Sequence, residues 1–255
     1  TTLGLPGRAA LLATVRSVDQ LQQLRALATD GRRCFILGSG SNVVLSGDFD
    51  GLVLQPVLTG RQLIGEDADA WYVRAAAGES WHELVMWTLA QGWPGLENLS
   101  LIPGTVGAAP VQNIGAYGLE IADRFLSLET FDLITGQQWR LDHAACRFAY
   151  RDSVFKQQGW NLEGRRVITG ITLRLPKRWQ PLTGYTDLAG ELDRQQISAP
   201  TPQQVAEAVW PSGKANCLIR HACPTPAVFS RIRSCRQRTR SGWRKRTRRC
   251  HAIRN

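Results

Sequence analysis

The last 47 residues of this 255-residue chain contain no aspartate and no glutamate, yet they hold 13 of its 31 lysines and arginines. Residues 1–208 carry the other 18 basic residues and all 21 acidic ones, giving them a net charge of −3 against +13 for residues 209–255. The overall charge of +10 therefore describes neither part. No apolar run is long enough to cross a bilayer and no signal peptide is visible, so a soluble cytoplasmic protein is expected. Cysteine is scarce before residue 209, where Cys34 and Cys146 stand alone, as in a reducing compartment. The four later cysteines (Cys217, Cys223, Cys235 and Cys250) contain no C-x-x-C pair, so even with His221 and His251 they lack zinc-site spacing. No metal is expected. The chain opens Thr1-Thr2-Leu3-Gly4 without methionine, which points to a missing or processed start. No internal repeat is present.

Bulk is the next thing missing. Ile102 to Gly118 reads I-P-G-T-V-G-A-A-P-V-Q-N-I-G-A-Y-G, with four glycines, two prolines and three alanines in seventeen residues. A hydrophobic core would want volume here, and a flexible linker would not carry Val106, Val111, Ile114 and Tyr117. Small residues let backbone N–H groups approach a ligand and adopt dihedrals that other residues avoid. The segment reads as a backbone cradle for a phosphate-bearing cofactor, with a purely structural cluster of turns as the alternative. A second loop of this kind, Gly38-Ser39-Gly40-Ser41-Asn42, directly follows the apolar run Phe35-Ile36-Leu37. A strand feeding a glycine–serine loop presents donors to phosphate oxygens. It is not the Rossmann fingerprint, because Val43 stands where the third glycine is required. Alone it is equally well an ordinary turn.

Two further motifs follow, Cys146-Arg147-Phe148-Ala149-Tyr150-Arg151-Asp152-Ser153 and Trp179-Gln180-Pro181-Leu182-Thr183-Gly184-Tyr185. Together and in this order, the four segments resemble the UDP-N-acetylenolpyruvoylglucosamine reductases, flavoenzymes that make UDP-N-acetylmuramate for bacterial peptidoglycan. The resemblance covers roughly residues 1–208. It implies an α+β fold of the vanillyl-alcohol-oxidase (PCMH) type with two FAD-binding subdomains, and a C-terminal substrate domain that is mostly missing. It also implies FAD and NADPH as cofactors and UDP-N-acetylglucosamine enolpyruvate as substrate. NADPH would reduce the flavin, which reduces the enolpyruvyl group; the protein must stabilise the charge that builds on the carboxylate side and deliver a proton. The expected FAD contacts are Gly38, Ser39, Gly40, Ser41, Asn42, Gly104, Gly107, Ala108, Ala109, Pro110, Gln112, Asn113, Gly115, Ala116, Tyr117 and Gly118.

Spacing alone leaves Arg151 open between an ion pair with Asp152 and a ligand role. The resemblance makes it the catalytic arginine on the substrate carboxylate, a task suited to a permanently charged fork of N–H groups. Tyr185 matches a tyrosine on the UDP portion; without the motif it is a half-buried packing residue. His82 and His143 read as solvated, and Cys34 and Cys146 as buried small residues without a histidine partner. Trp71, Trp81, Trp87 and Trp93 are expected to pack around one helix, and Trp93 to Leu99 to shape the entrance of the cradle.

Capping boxes start three helices, at Ser17/Gln20, Ser80/Glu83 and Thr201/Gln204, the second ended by Gly92 and Pro94 and the third cut short by Pro211. Alternation predicts strands through Trp71–Ala77, through Leu126, Leu128 and Thr130, and from Val167 to Leu175, with a hairpin turn at Thr135-Gly136 leading to Trp139 and Leu141. The expected divisions are residues 1–55, a small α/β FAD-binding subdomain; 56–189, a larger α+β subdomain; 190–209, the start of the substrate domain; and 210–255, an anomalous, disordered basic tail. A monomer is expected, with no nucleic-acid or membrane partner.

The tail reads as an out-of-frame translation. Ser212 to Arg233 can be written in codons that, read from the third base of the Ser212 codon, spell R-Q-S-K-L-P-D-P-A-C-L-P-N-A-G-S-F-F-K-N-P. The resembled family continues here with K-L-P-D-P and N-A-G-S-F-F-K-N-P, whose serine is its proton donor, assisted by a glutamate near the C-terminus. Ser230 and Ser234 cannot take that role, so this polypeptide is expected to be inactive or nearly so. The alternatives are a non-catalytic flavin-binding remnant and a nucleic-acid-binding protein acting through its basic tail. Resequencing the coding DNA around codon 209 is expected to restore K-L-P-D-P and G-S-F-F-K-N-P; a confirmed frame would leave the remnant.

Overall fold

The computed structural model of the chain describes residue 4 and residues 6–216. The four cysteines of the tail, His221, His251, Ser230 and Ser234 lie outside the described residues. Strand β1 (Ala9–Val15) leads into helix α1 (Val18–Ala28), strand β2 (Cys34–Ile36) and strand β3 (Phe49–Pro56). These strands form a parallel sheet in the order β1-β3-β2. Helix α1 begins where expected, because Ser17 accepts the Gln20 N–H and so satisfies a donor the first turn leaves free.

Strands β4 (Arg61–Glu66) and β5 (Ala70–Ala76) precede helix α2 (Trp81–Ala90). Short helices at Glu97–Leu99 and Val106–Gln112 lead to the two-residue strands β6 (Gly115–Ala116) and β7 (Leu119–Glu120). There follow β8 (Phe125–Asp132), β9 (Gln138–Asp142), the short helices α3 (His143–Cys146), α4 (Val154–Gln157) and α5 (Trp160–Glu163), and the long strand β10 (Arg166–Pro176). The larger sheet is antiparallel, ordered β4-β5-β10-β8-β9. The strands expected over Trp71–Ala77, around Leu128 and over Val167–Leu175 are present. So is the turn at Thr135-Gly136, where Asp132 Oδ1 accepts the N–H groups of Ile134 and Thr135.

Two cores hold these layers. The larger one packs α2 (Trp81, Leu84, Val85, Leu89) against β5, β8 and β10. Trp81 is fully buried and donates its indole N–H to the Leu99 carbonyl, while Trp87 and Trp93 meet edge to face. The smaller core joins the two sheets: Val15, Leu21, Leu52 and Leu54 pack with Phe131, Leu133 and Val167. Arg25 strengthens this seam by donating to the carbonyls of Leu133 and Ile134.

Helices α6 (Thr186–Arg194) and α7 (Pro202–Asn216) complete the described chain. Their Leu188, Leu192, Val205, Ala208 and Val209 pack on Leu101 and Tyr117, which brings them against the small-residue segment. Thr201 and Gln204 form a reciprocal capping box. The expected stop at Pro211 is corrected: α7 continues through it to Asn216, since a proline removes one ladder bond and kinks a helix more readily than it ends one.

A second correction concerns His82. It is half-buried rather than solvated, and its Nδ1 accepts the N–H of Leu101, whose φ of 60° is left-handed. Burial pushes the imidazole pKa down from its ordinary value, so the folded chain holds it neutral. The folded state then binds fewer protons here than the unfolded one. Stability is full above the unfolded pKa of about 6.5 and falls as pH drops from there toward the depressed folded value. Thermal melts of the wild type from pH 7.5 to 5 should lose more stability than those of His82→Gln, which keeps an acceptor without the charge; parallel losses would remove His82 as the cause.

Candidate cofactor cleft

Between the two sheets lies a solvent-open cleft that, with the space at its mouth, encloses about 1000 Å³. Gly38, Ser39, Gly40, Ser41 and Asn42 line it where the chain leaves β2, at the carboxyl end of a parallel strand. Gly104, Thr105, Gly107, Ala108, Val111 and Gln112 form the facing wall. Two hydrogen bonds clip the loops together: Ser41 Oγ donates to the Pro103 carbonyl at 3.2 Å, and Asn42 Nδ2 donates to Gln112 Oε1 at 3.1 Å. Gly107 lies so close to the chain just after β5 that a Cβ there would stand 2.6 Å from that of Ala77, and Gly104 has a φ of 129° with Ser41 Oγ beside it. Residue size at these points is set by contact.

The segment supplies closeness more than donors. The N–H groups of Val106 and Gly107 go to the carbonyls of Glu79 and Ala77 on the turn before α2, and that of Ala108 to Thr105. Those of Asn113 and Ile114 go to Pro110 and Ala109. The expectation that this stretch offers its amides to phosphate oxygens is thus corrected for these five residues, whose amides close the fold.

Nine of the sixteen expected cofactor residues line the cleft: Gly38 to Asn42, Gly104, Gly107, Ala108 and Gln112. The other seven do not. Ala109 and Pro110 are buried. Asn113 is a brace, fully buried with a φ of 46°; its Nδ2 donates to Glu120 Oε2 and the Ala149 carbonyl, and its Oδ1 accepts the Ala122 N–H. Gly115 and Ala116 form β6, and Tyr117 turns away to pack with α6 and α7, its carbonyl accepting Asn98 Nδ2. Gly118 follows it in the turn to β7. Phe155, Lys156, Asn161, Arg166 and Ile168 also line the cleft and were missed. The K-Q-Q-G-W-N run that carries two of them has no spacing signature; the fold alone delivers them.

Arg151 adjoins the end of the segment. It has a φ of 53° and donates Nη2 to the Gly115 carbonyl at 2.6 Å and Nη1 to that of Asn113 at 3.3 Å. Asp152 instead accepts the Ser153 N–H and Gln157 Nε2, so the ion pair left open by spacing is not the arrangement here. Tyr185 is half exposed and meets Tyr117 edge to face at 5.4 Å. His143 is exposed, packing beside Phe125 and Phe148. Burial pushes the thiols of Cys34 and Cys146 up to about 11 and about 12, which leaves neither a nucleophile. Among the described residues no cluster of His, Cys, Asp and Glu could hold a metal ion. Nor, among them, is any helix long and apolar enough to cross a membrane.

A large cleft walled by two interlocked small-residue loops, one at the carboxyl end of a parallel strand, defines a dinucleotide-cofactor-binding protein. The FAD binding domain family matches residues 9–142, and the chain belongs to that family. Its relatives include UDP-N-acetylenolpyruvoylglucosamine reductases. That of Dechloromonas aromatica is 54% identical over 227 residues, covering 89% of this chain and 65% of its own length. That of Paraburkholderia phymatum is 56% identical over 211 residues, covering 82% and 60%. The crystal structure of the Thermus caldophilus reductase superposes with a TM-score of 0.57 at 27% identity, covering 79% of this chain and 67% of that one. The chain thus spans less than two thirds of the length of the Dechloromonas and Paraburkholderia relatives. The Dechloromonas match also extends past residue 208, where the sequence resemblance was placed to end.

Gly107→Ala is expected to force the segment off β5 and to weaken FAD binding at least tenfold, with a lower melting temperature. Unchanged FAD affinity in a fluorescence titration would show that the approach to Ala77 does not shape the cleft.

Proposed function

We propose that this chain is the FAD-binding part of a reductase that uses NADPH to convert UDP-N-acetylglucosamine enolpyruvate to UDP-N-acetylmuramate in the cytoplasm. The observation that carries the reading is the clipped pair of loops along a solvent-open cleft, within a chain more than half identical to named reductases. FAD fits the residues present: the walls are small where a diphosphate must pass, and apolar at Ile36, Val43, Pro56 and Ile168 where flat rings need contact. Bound there, the flavin would supply the redox chemistry.

The chain's own residues would position and polarise. Gly38 to Asn42 would hold the diphosphate, with Gln112 fixing Asn42 from the opposite wall. Arg151 is held by two cradle carbonyls, so its planar fork is fixed before substrate arrives. In this reading its remaining donors grip the substrate carboxylate, and its charge stabilises the negative charge that develops there. Its left-handed backbone, beside those of Asn113 and Tyr117, concentrates about 1–3 kcal/mol of strain per residue around this point, as functional sites often do. Tyr185, reaching solvent from the start of α6, would meet the UDP portion. The reading also divides the chain into FAD-binding lobes at 1–55 and 56–189 and the start of a substrate domain at 190–209.

The 255-residue polypeptide contains no G-S-F-F-K-N-P, the motif expected to carry the proton donor. We therefore expect it to bind FAD without efficient turnover. Purified chain should quench FAD fluorescence on titration, and its substrate-stimulated NADPH oxidation should run about 10²–10⁴-fold below that of the Dechloromonas relative. Absence of flavin binding would overturn the reading, and equal rates would overturn the impairment.

A further inference from the structure

One end of the cleft holds polar atoms that the fold does not satisfy. Asn161 and Arg166 both line it. Asn161 Oδ1 and Arg166 Nε and Nη1 are buried and make no hydrogen bond among the described residues. The Arg166 side chain is only 11% exposed, and its guanidinium lies 3.9 Å over the Trp160 ring and 4.5 Å from that of Trp139. Asp132 Oδ2 stands 3.8 Å from Nε, near enough to compensate charge but too far for a hydrogen bond. Asp132 is already committed, its Oδ1 to the Ile134 and Thr135 amides and its Oδ2 to Arg165 Nη2. Arg166 is therefore fixed by aromatic faces and neutralised by a carboxylate, while its Nε and Nη1 donors remain unused. Buried donors and acceptors left in this state are costly, and a ligand that satisfies both is bound with that cost removed.

The missing partner must offer a hydrogen-bond donor beside an acceptor on one flat edge. FAD has two such edges, the amidine edge of adenine and the pyrimidine edge of the flavin ring. Position separates them. Arg151 lies against residues 113–115, past the end of the Val106–Gln112 turn, where substrate must arrive to meet the reacting ring. Asn161 and Arg166 lie on the side of β2, where α5 packs on that strand and Gly164 sits directly against the Cys34 carbonyl. The walls on that side are buried, Ile168 at 5% exposure. A ring that must react does not belong there, and adenine does.

We propose that Asn161 and Arg166 form the adenine-recognising end of the cofactor cleft. Asn161 Oδ1 accepts from the exocyclic amino group and the Arg166 guanidinium donates to a ring nitrogen. This rests on the FAD reading above. The test uses the full chain, titrated with FAD by fluorescence quenching and with ADP by displacement of FAD. Asn161→Leu removes the acceptor at similar size; Arg166→Gln removes the charge and the fork and serves as the second variant, with melting curves checking both for folding. Each should weaken FAD and ADP in parallel by about three- to tenfold. Unchanged affinities, or weakened FAD with unchanged ADP, would overturn the adenine assignment, the latter placing the flavin edge there instead. Failure of the wild type to bind FAD at all would overturn the underlying reading.

Discussion

Where residues 104–112 cross the end of β5, backbone meets backbone with no room for a methyl group at Gly107. That contact spends the amides of Val106 and Gly107 on the carbonyls of Glu79 and Ala77, and it leaves the outer surface of the segment flat and close to the glycine–serine loop. Everything near the cleft is keyed to it. Asn42 reaches Gln112, Ser41 reaches the Pro103 carbonyl, and Asn113 turns left-handed to anchor the exit on Glu120 and Ala149. Arg151 then takes its place from the carbonyls of Asn113 and Gly115.

The consequence for recognition is a division of labour. The first wall, Gly38 to Asn42, is short and adjoins a strand end. The second wall is held in shape because the amides of Val106, Gly107 and Ala108 are paired within the fold. In the proposed reading, specific polar contacts fall to side chains brought from elsewhere in the chain. Such an arrangement costs little reorganisation on binding, because the loops are already clipped before a ligand arrives.

Much of this was legible in the sequence. Capping pairs at Ser17/Gln20, Ser80/Glu83 and Thr201/Gln204 each mark a helix start, because a hydroxyl three residues before Glu or Gln answers a local need of the first turn. The strand through Val167–Leu175 was legible from alternation, and the loop residues were legible as small. What local pattern could not carry was distance in space. Asn113 and Tyr117 sit in a motif that reads as cofactor-binding throughout, yet one braces the core and the other faces α6 and α7. Arg166 and Asn161 carry no motif, and become neighbours of the cleft only when β10 pairs with β8 and α5 folds over β2. His82 looked solvated because a helix start usually is; the left-handed Leu101 that it supports is a tertiary feature.

The small core that joins the sheets has a further bearing on how the chain is made. Val15, Leu21, Leu52 and Leu54 complete their packing with Phe131, Leu133 and Val167, residues synthesised at least 77 positions after Leu54. As the ribosome delivers the chain from its N-terminus, the first sheet can pair its strands but cannot close its interior until β8 and β10 have emerged. Contacts of such separation fold slowly and leave apolar surface open meanwhile, a window in which chaperones act and aggregation competes. The first sheet is thus a folding partner of the later strands, and cutting the chain near residue 56 would split the small core between two fragments while leaving the larger core whole in the second.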